Sequence, residues 1–157
     1  MTKYTDIINY FKAFAEKYVL HTDTEKHFYR KGWDEFFNGL TIAANYPAML
    51  FHKYELTFDD NSYDNVTKDR TVAFSIISHI SDIDDYEAQD LAMDECEGIV
   101  GKIFNDMRAD SKDARNSTVQ FTKITSFSAT PLENYADGNY GYYCTVDISS
   151  IHKTVNS

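Results

Sequence analysis

Histidines, cysteines and clustered carboxylates are the side chains with which this chain could do chemistry, and their spacing argues against most of it. His21, Asp23 and His27 form the one group that resembles a set of metal ligands. The spacing lacks the i, i+4 geometry of a helical zinc motif, and no glutamate is placed to serve as a base beside it. A charged loop with two histidines is the simpler account, so no metal and no cofactor is expected. Carboxylates crowd the stretch from Asp82 to Glu97. Acid–base catalysis needs two such groups in environments that separate their pKa values. Asp84, Asp85, Glu87, Asp90 and Asp94 read instead as a solvated acidic surface on one helix.

Nucleophilic and phosphate-handling motifs are missing as well. Six glycines leave little material for a phosphate-cradling loop, and the serines show no nucleophile elbow. Cys96 and Cys144 lie far apart, with no C-x-x-C spacing and no neighbouring histidine. Each reads as a small buried hydrophobe. Trp33 reads as a packing anchor. The expectation is a protein that is not an enzyme.

The elements that position these residues are legible from periodicity. Ile7, Phe11, Phe14 and Tyr18 recur at helical spacing and predict a first helix over Asp6 to Leu20, capped by Thr5. His21 to Lys31 is polar and predicts a loop or a short extended piece. Asp34 caps a second, short helix presenting Phe36, Phe37, Leu40 and Ala44, which Asn45-Tyr46-Pro47 closes. The period then changes to two. Leu50, His52, Tyr54, Leu56 and Phe58 are expected on one face of a long strand. A turn or projecting loop is expected over Asp59 to Asp69, where Asp, Asn and Ser are dense.

A second strand carries Val72, Phe74, Ile76, Ser78 and Ile80 on one face and Thr71, Ala73, Ser75, Ile77 and His79 on the other. The longest helix is predicted from Ser81 to about Ala109, with a buried stripe of Ala92, Met93, Cys96, Ile99, Val100, Ile103, Phe104 and Met107. Strands are expected over Val119 to Thr130, ending at Pro131, and from Tyr140 to Ile148, separated by a turn over Leu132 to Asn139. The order α-α-β-β-α-β-β predicts an α+β domain spanning 1–157. Helices occupy 1–46, and a core over 47–150 forms an antiparallel sheet of two β-hairpins packed by one long helix. A loose tail occupies 151–157.

Composition narrows the partners. At 157 residues the chain is long enough for one well-formed core, and its net charge of −10 repels phosphate. Twelve tyrosines and eleven phenylalanines favour surfaces that pack yet stay wet. No window approaches the roughly 18 apolar residues of a membrane span, and the N-terminus lacks a signal-peptide pattern, so an intracellular protein is expected.

Three stretches carry a resemblance: Tyr54-Glu55-Leu56-Thr57-Phe58 through Asp64-Asn65-Val66-Thr67-Lys68 to Arg70-Thr71-Val72-Ala73-Phe74; Ile103-Phe104-Asn105-Asp106-Met107-Arg108-Ala109-Asp110; and Tyr140-Gly141-Tyr142-Tyr143-Cys144-Thr145-Val146-Asp147-Ile148. They look like small proteins from the tail-gene neighbourhoods of bacteriophages and prophages of Bacteroidetes. The β-β-α-β-β core is similar to that of phage tail terminators and head–tail connector (neck) proteins. The resemblance implies a structural virion protein: a homohexameric ring at the end of the tail tube, with DNA passing through the bore without specific binding. It implies assembly in the host cytoplasm, residence in the tail or neck of the virion, and the tail tube and neck proteins as partners. On that reading Asp59, Asp60, Tyr63, Asp64 and Lys68 meet the tube or bore, while His27 and Tyr29 reach a neighbouring subunit. The alternative is an acidic inhibitor, of the immunity type or a nucleic-acid mimic, whose negative helix covers a basic partner.

Overall fold

The computed structural model describes residues 3–38, 45–60, 66–113, 122–135 and 138–151. Helix α1 spans Tyr4–Tyr18. The Asp6 carboxylate accepts a hydrogen bond from the Lys3 backbone N–H at 2.7 Å, so the helix begins two residues before the predicted start. A two-residue strand, β1 (Phe28–Tyr29), leads into α2 (Gly32–Asn38). Two long strands follow, β2 (Ala48–Asp60) and β3 (Val66–His79). Helix α3 spans Tyr86–Lys112, and the hairpin of β4 (Thr122–Tyr135) and β5 (Asn139–Ile151) completes the described chain.

The α+β class and the antiparallel pairing of the two long hairpins are as the pattern predicts. The five strands form one sheet in the order β1-β2-β3-β5-β4. β3 and β5 pair over their whole length, from Thr67 opposite Ile151 to His79 opposite Asn139, and so fuse the two hairpins. β1, read from sequence as loop or short extended piece, adds parallel to β2 at the sheet's border.

Helices α1 and α3 cover one face of the sheet. Ile7, Phe11, Phe14 and Ala15 of α1 and Cys96, Ile99, Val100, Ile103 and Met107 of α3 bury against Met49, Phe51, Val72, Phe74, Ile76, Cys144, Val146 and Ile148. Phe11 sits at the centre, its ring 5.3 Å from Phe51 and 5.1 Å from Phe74. The reverse face is covered in part by α2, where Tyr29 and Phe36 pack on Ala48, Leu50 and Ile77. Trp33 anchors this second layer against Phe36 and Tyr135.

Several boundaries differ from expectation. α2 starts at Gly32, so Asp34 lies inside its first turn rather than capping it, and β4 runs to Tyr135, into the expected turn. α3 starts at Tyr86 rather than Ser81, because Asp85 is its N-cap and accepts from the Ala88 N–H at 3.1 Å. Pro131 lies inside β4 rather than after it. An outer strand tolerates a residue that cannot donate to a ladder, and β4 is such a strand. The expected turn from Asp59 is also largely strand: β2 runs to Asp60 and β3 resumes at Val66. The second helix is described only to Asn38, so Leu40 and Ala44 lie outside the described residues.

Candidate functional site

A shift in register between His52 and Glu55 decides which residues this protein presents. Before it, Leu50 packs in the α2 layer while Met49 and Phe51 face α1 and α3. After it, Tyr54 packs on the α1–α3 core, and Leu56 and Phe58 lie opposite Arg70 and Lys68. Directly opposed residues share a face, and Arg70 and Lys68 continue the Val72–Phe74–Ile76 face. The irregularity therefore turns Leu56 and Phe58 away from the α2 side and onto the α1–α3 side. The alternation in the sequence instead predicts one uninterrupted face from Leu50 to Phe58.

That side runs out of cover. The first residue of α1, Tyr4, packs its ring 5.4 Å from Tyr54. Beyond this contact every β2 residue from Glu55 to Asp60 is exposed, with Leu56 at 45% and Phe58 at 52%. The result is a β-arm with an apolar strip on one side. Its root is polar and sealed: Arg70 is 1% exposed, donates to Ser150 Oγ at 2.9 Å and bonds the Tyr54 side chain. A guanidinium is rarely buried so fully without hydrogen-bonding partners, and this one fixes three strands and Tyr54 together.

The expected contact residues divide. Asp59 and Asp60 are exposed at the end of β2, and Lys68 is partly exposed on β3, its ammonium 5.9 Å from the centre of the Phe58 ring. Tyr63 and Asp64 lie outside the described residues. His27 and Tyr29 do not reach outward. They are 2% and 4% exposed. His27 Nδ1–H donates to the Pro47 carbonyl at 2.7 Å, and the Tyr29 ring packs edge-on to Phe36. Being β1's flank and body, they are consumed by packing. His21 and His27 are tied to each other, the His27 backbone N–H donating to His21 Nδ1 at 3.0 Å. Among the described residues no three His, Cys, Asp or Glu side chains gather as metal ligands.

The acidic surface lies at the other end. Asp84, Asp85, Glu87, Asp90 and Asp94 are exposed around the start of α3. Sequence reasoning missed the large apolar side chains among them. Ile83, Tyr86 and Leu91 are 49%, 73% and 69% exposed. The signal was present, because Tyr86 and Leu91 fall outside the Ala92–Cys96–Ile99 stripe.

Groups with reactive chemistry are structural where the chain places them. His52 Nε2 lies 2.9 Å from Ser75 Oγ, but Ser75 is fully buried between strands, so the pair links β2 to β3. Burial holds His52 below the ordinary histidine range and keeps it neutral at pH 7. A Cβ on Gly32, whose φ is +62°, would stand 2.6 Å from that ring, so only glycine lets α2 start this close to the sheet. Cys96 and Cys144 are buried, and burial pushes both thiols up to about 12. α1 is latched to α3 by the Asp106 carboxylate. It accepts from Tyr18 Oη at 2.5 Å and Lys17 Nζ at 2.9 Å, while Tyr10 Oη donates to Asp110 at 2.7 Å.

Among the described residues, two of the apolar surfaces left exposed are Leu56 and Phe58 on the arm and Ile83, Tyr86 and Leu91 around the start of α3. No family model matches the chain. No curated protein and no solved structure matches it either. Among the described residues no helix is long and apolar enough to cross a membrane.

Proposed function

We propose that this chain is a structural assembly protein of a phage tail, a tail terminator or head–tail connector that forms a homohexameric ring at the end of the tail tube. The observation that carries the reading is the β-arm, which holds Leu56 and Phe58 in water on the side of the sheet that is otherwise buried. Holding such residues in water is unfavourable, and contact with another protein surface removes that cost. Asp59, Asp60 and Lys68 on the same arm are then contact residues, with Tyr63 and Asp64 assigned to the same end from sequence. His27 and Tyr29 are not part of this proposed contact.

The net charge of −10 supports a bore through which DNA slides without specific binding. The reading assigns no catalysis and no cofactor. It places the protein in the host cytoplasm during assembly and in the virion afterwards. The inhibitor reading draws its support from the acidic α3 face, where Tyr86 and Leu91 add apolar contact to charge.

Tail tubes polymerised with and without the protein test the proposal by electron microscopy. The expected result is tubes of arrested length with ring density on one end. Bare-ended tubes of unchanged length, beside tight binding to a basic protein, would replace it with the inhibitor reading.

A further inference from the structure

We propose that the groove between α3 and β4 binds a small organic cation, an amine carried on an aromatic body. The groove lies apart from the arm, and the assembly reading stands or falls without it. Its volume is about 410 Å³, within the roughly 300–1,000 Å³ of small-molecule sites. Glu97, Gly101 and Phe104 form one wall, aligned along the helix by spacings of four and then three residues. At 1.5 Å of rise per residue, Glu97 and Phe104 stand roughly 10 Å apart along the axis. An aromatic ring with a two-carbon amine chain has about that reach.

The apolar end is built in advance. Phe127 of β4 packs its ring 5.3 Å from Phe104 and 6.1 Å from Phe74, which is fully buried. Those contacts tie the ring pair to the core, so little ordering is left for a ligand to impose. Phe104 and Phe127 are only half-buried, and an offset or edge contact with a third ring is favourable there. The walls beside them are low. An added Cβ on Gly101 would meet nothing within 4 Å, and Ala129 on β4 is exposed. A planar group can therefore enter between helix and strand.

The opposite end selects charge. Tyr142 completes the lining, and the carboxylates that act on its hydroxyl are Glu97 and Asp94. Glu97 is the one charged side chain of the lining, and it forms no ion pair among the described residues. Basic residues lie elsewhere. Lys102 Nζ is 6.0 Å from the centre of the Tyr18 ring, and Arg108 follows Phe104 by more than a turn. On β4, Lys123 lies opposite Asp147, five residues along β5 from Tyr142. An ammonium at this end meets a carboxylate and the π system of a tyrosine, and both attract a cation. A ligand carboxylate meets the same groups with the opposite sign.

The test titrates the isotope-labelled full-length chain with tryptamine and follows its backbone amide spectra. Indolepropionate, which carries a carboxylate on the same ring, is the control. Saturable shifts centred on the Gly101 and Ala129 amides are expected, with tryptamine bound about 10-fold more tightly than indolepropionate. Glu97→Gln is expected to bring the two affinities within about 2-fold. Gly101→Leu, whose side chain fills the groove, is expected to abolish the shifts. Both positions are exposed on α3, and circular dichroism with a urea melt verifies that each variant folds.

Absence of saturable shifts at those amides up to about 10 mM tryptamine overturns the proposal. Equal affinity for the anion also overturns it, as does unchanged binding by the folded Gly101→Leu variant. Shifts there that follow protein concentration and ignore tryptamine place a second copy in the groove, and that result overturns the proposal too.

Discussion

Replacing Gly141 by alanine tests the pairing on which the whole architecture rests. Gly141 lies opposite Ile77 where β3 meets β5, the seam that fuses the two hairpins. A Cβ there would stand 1.9 Å from the Ile76 carbonyl oxygen and 3.0 Å from the Ile77 Cα. An ordinary contact with that oxygen needs about 3.2 Å, so the strands must separate locally by roughly 1.3 Å. That displacement disturbs about two ladder hydrogen bonds, each worth about 1 kcal/mol net. It also shifts Ile76 and Ile77, which are fully buried on opposite faces of the sheet, and loosened packing there adds about 1–3 kcal/mol. The expected loss is about 3–5 kcal/mol, against a typical domain stability of about 5–15. With a urea slope near 2 kcal/mol/M, the midpoint drops by about 1.5–2.5 M. A drop below about 0.5 M would refute the register and, with it, the single continuous sheet.

Other expectations follow from the same structure. Gly98 and Gly101 sit mid-helix on α3 with nothing within 4 Å of an added Cβ, so alanine at either site should raise stability by about 1 kcal/mol, read from urea midpoints. Burial alone would raise the Asp106 carboxyl, but the hydrogen bonds from Tyr18 and Lys17 hold it below the ordinary carboxylate range. A folded pKa below the unfolded value means that its contribution is complete above about pH 5 and is lost as pH falls through the folded pKa. Asp106→Asn should therefore cost about 1 kcal/mol at pH 7, given partial exposure, and reduce the slope of stability below about pH 4. Both cysteines should resist a thiol reagent in the native protein at pH 8 and react only on unfolding, as thiols raised to about 12 by burial require. Leu56→Ser with Phe58→Ser should change subunit stability by under about 1 kcal/mol while weakening self-association at least 30-fold, measured by urea melts and sedimentation.

What was legible in the sequence were the features that repeat locally. The α3 stripe from Ala92 to Met107 and the alternation of Cys144, Val146 and Ile148 each show their period within one segment. The structure buries Ala92, Cys96, Ile99, Val100, Ile103 and Met107 of the stripe, with Met93 and Phe104 only half-buried, and it buries Cys144, Val146 and Ile148. What stayed hidden depends on partners distant in sequence. The irregularity between His52 and Glu55 is a property of pairing with β3, and nothing in Leu50-Phe51-His52-Lys53-Tyr54 marks it. Strand β1 is two residues long, too short for any period, and exists because Met49 and Leu50 lie beside it. Arg70 is buried through Tyr54 and Ser150, partners that lie far from it in sequence. At the start of α3 the acids are plain in the sequence, whereas the exposure of Tyr86 and Leu91 is not, because large apolar residues are ordinarily assigned inward.

The central claim is that this subunit is built to join copies of itself through patches it cannot satisfy alone. Light scattering on the purified wild type, with and without tail tubes, measures this most directly. The account predicts a particle near six times the 18.1 kDa subunit mass, or one that forms once tubes are present. A protein that remains a single subunit at every concentration, and neither joins nor caps tubes, would contradict it.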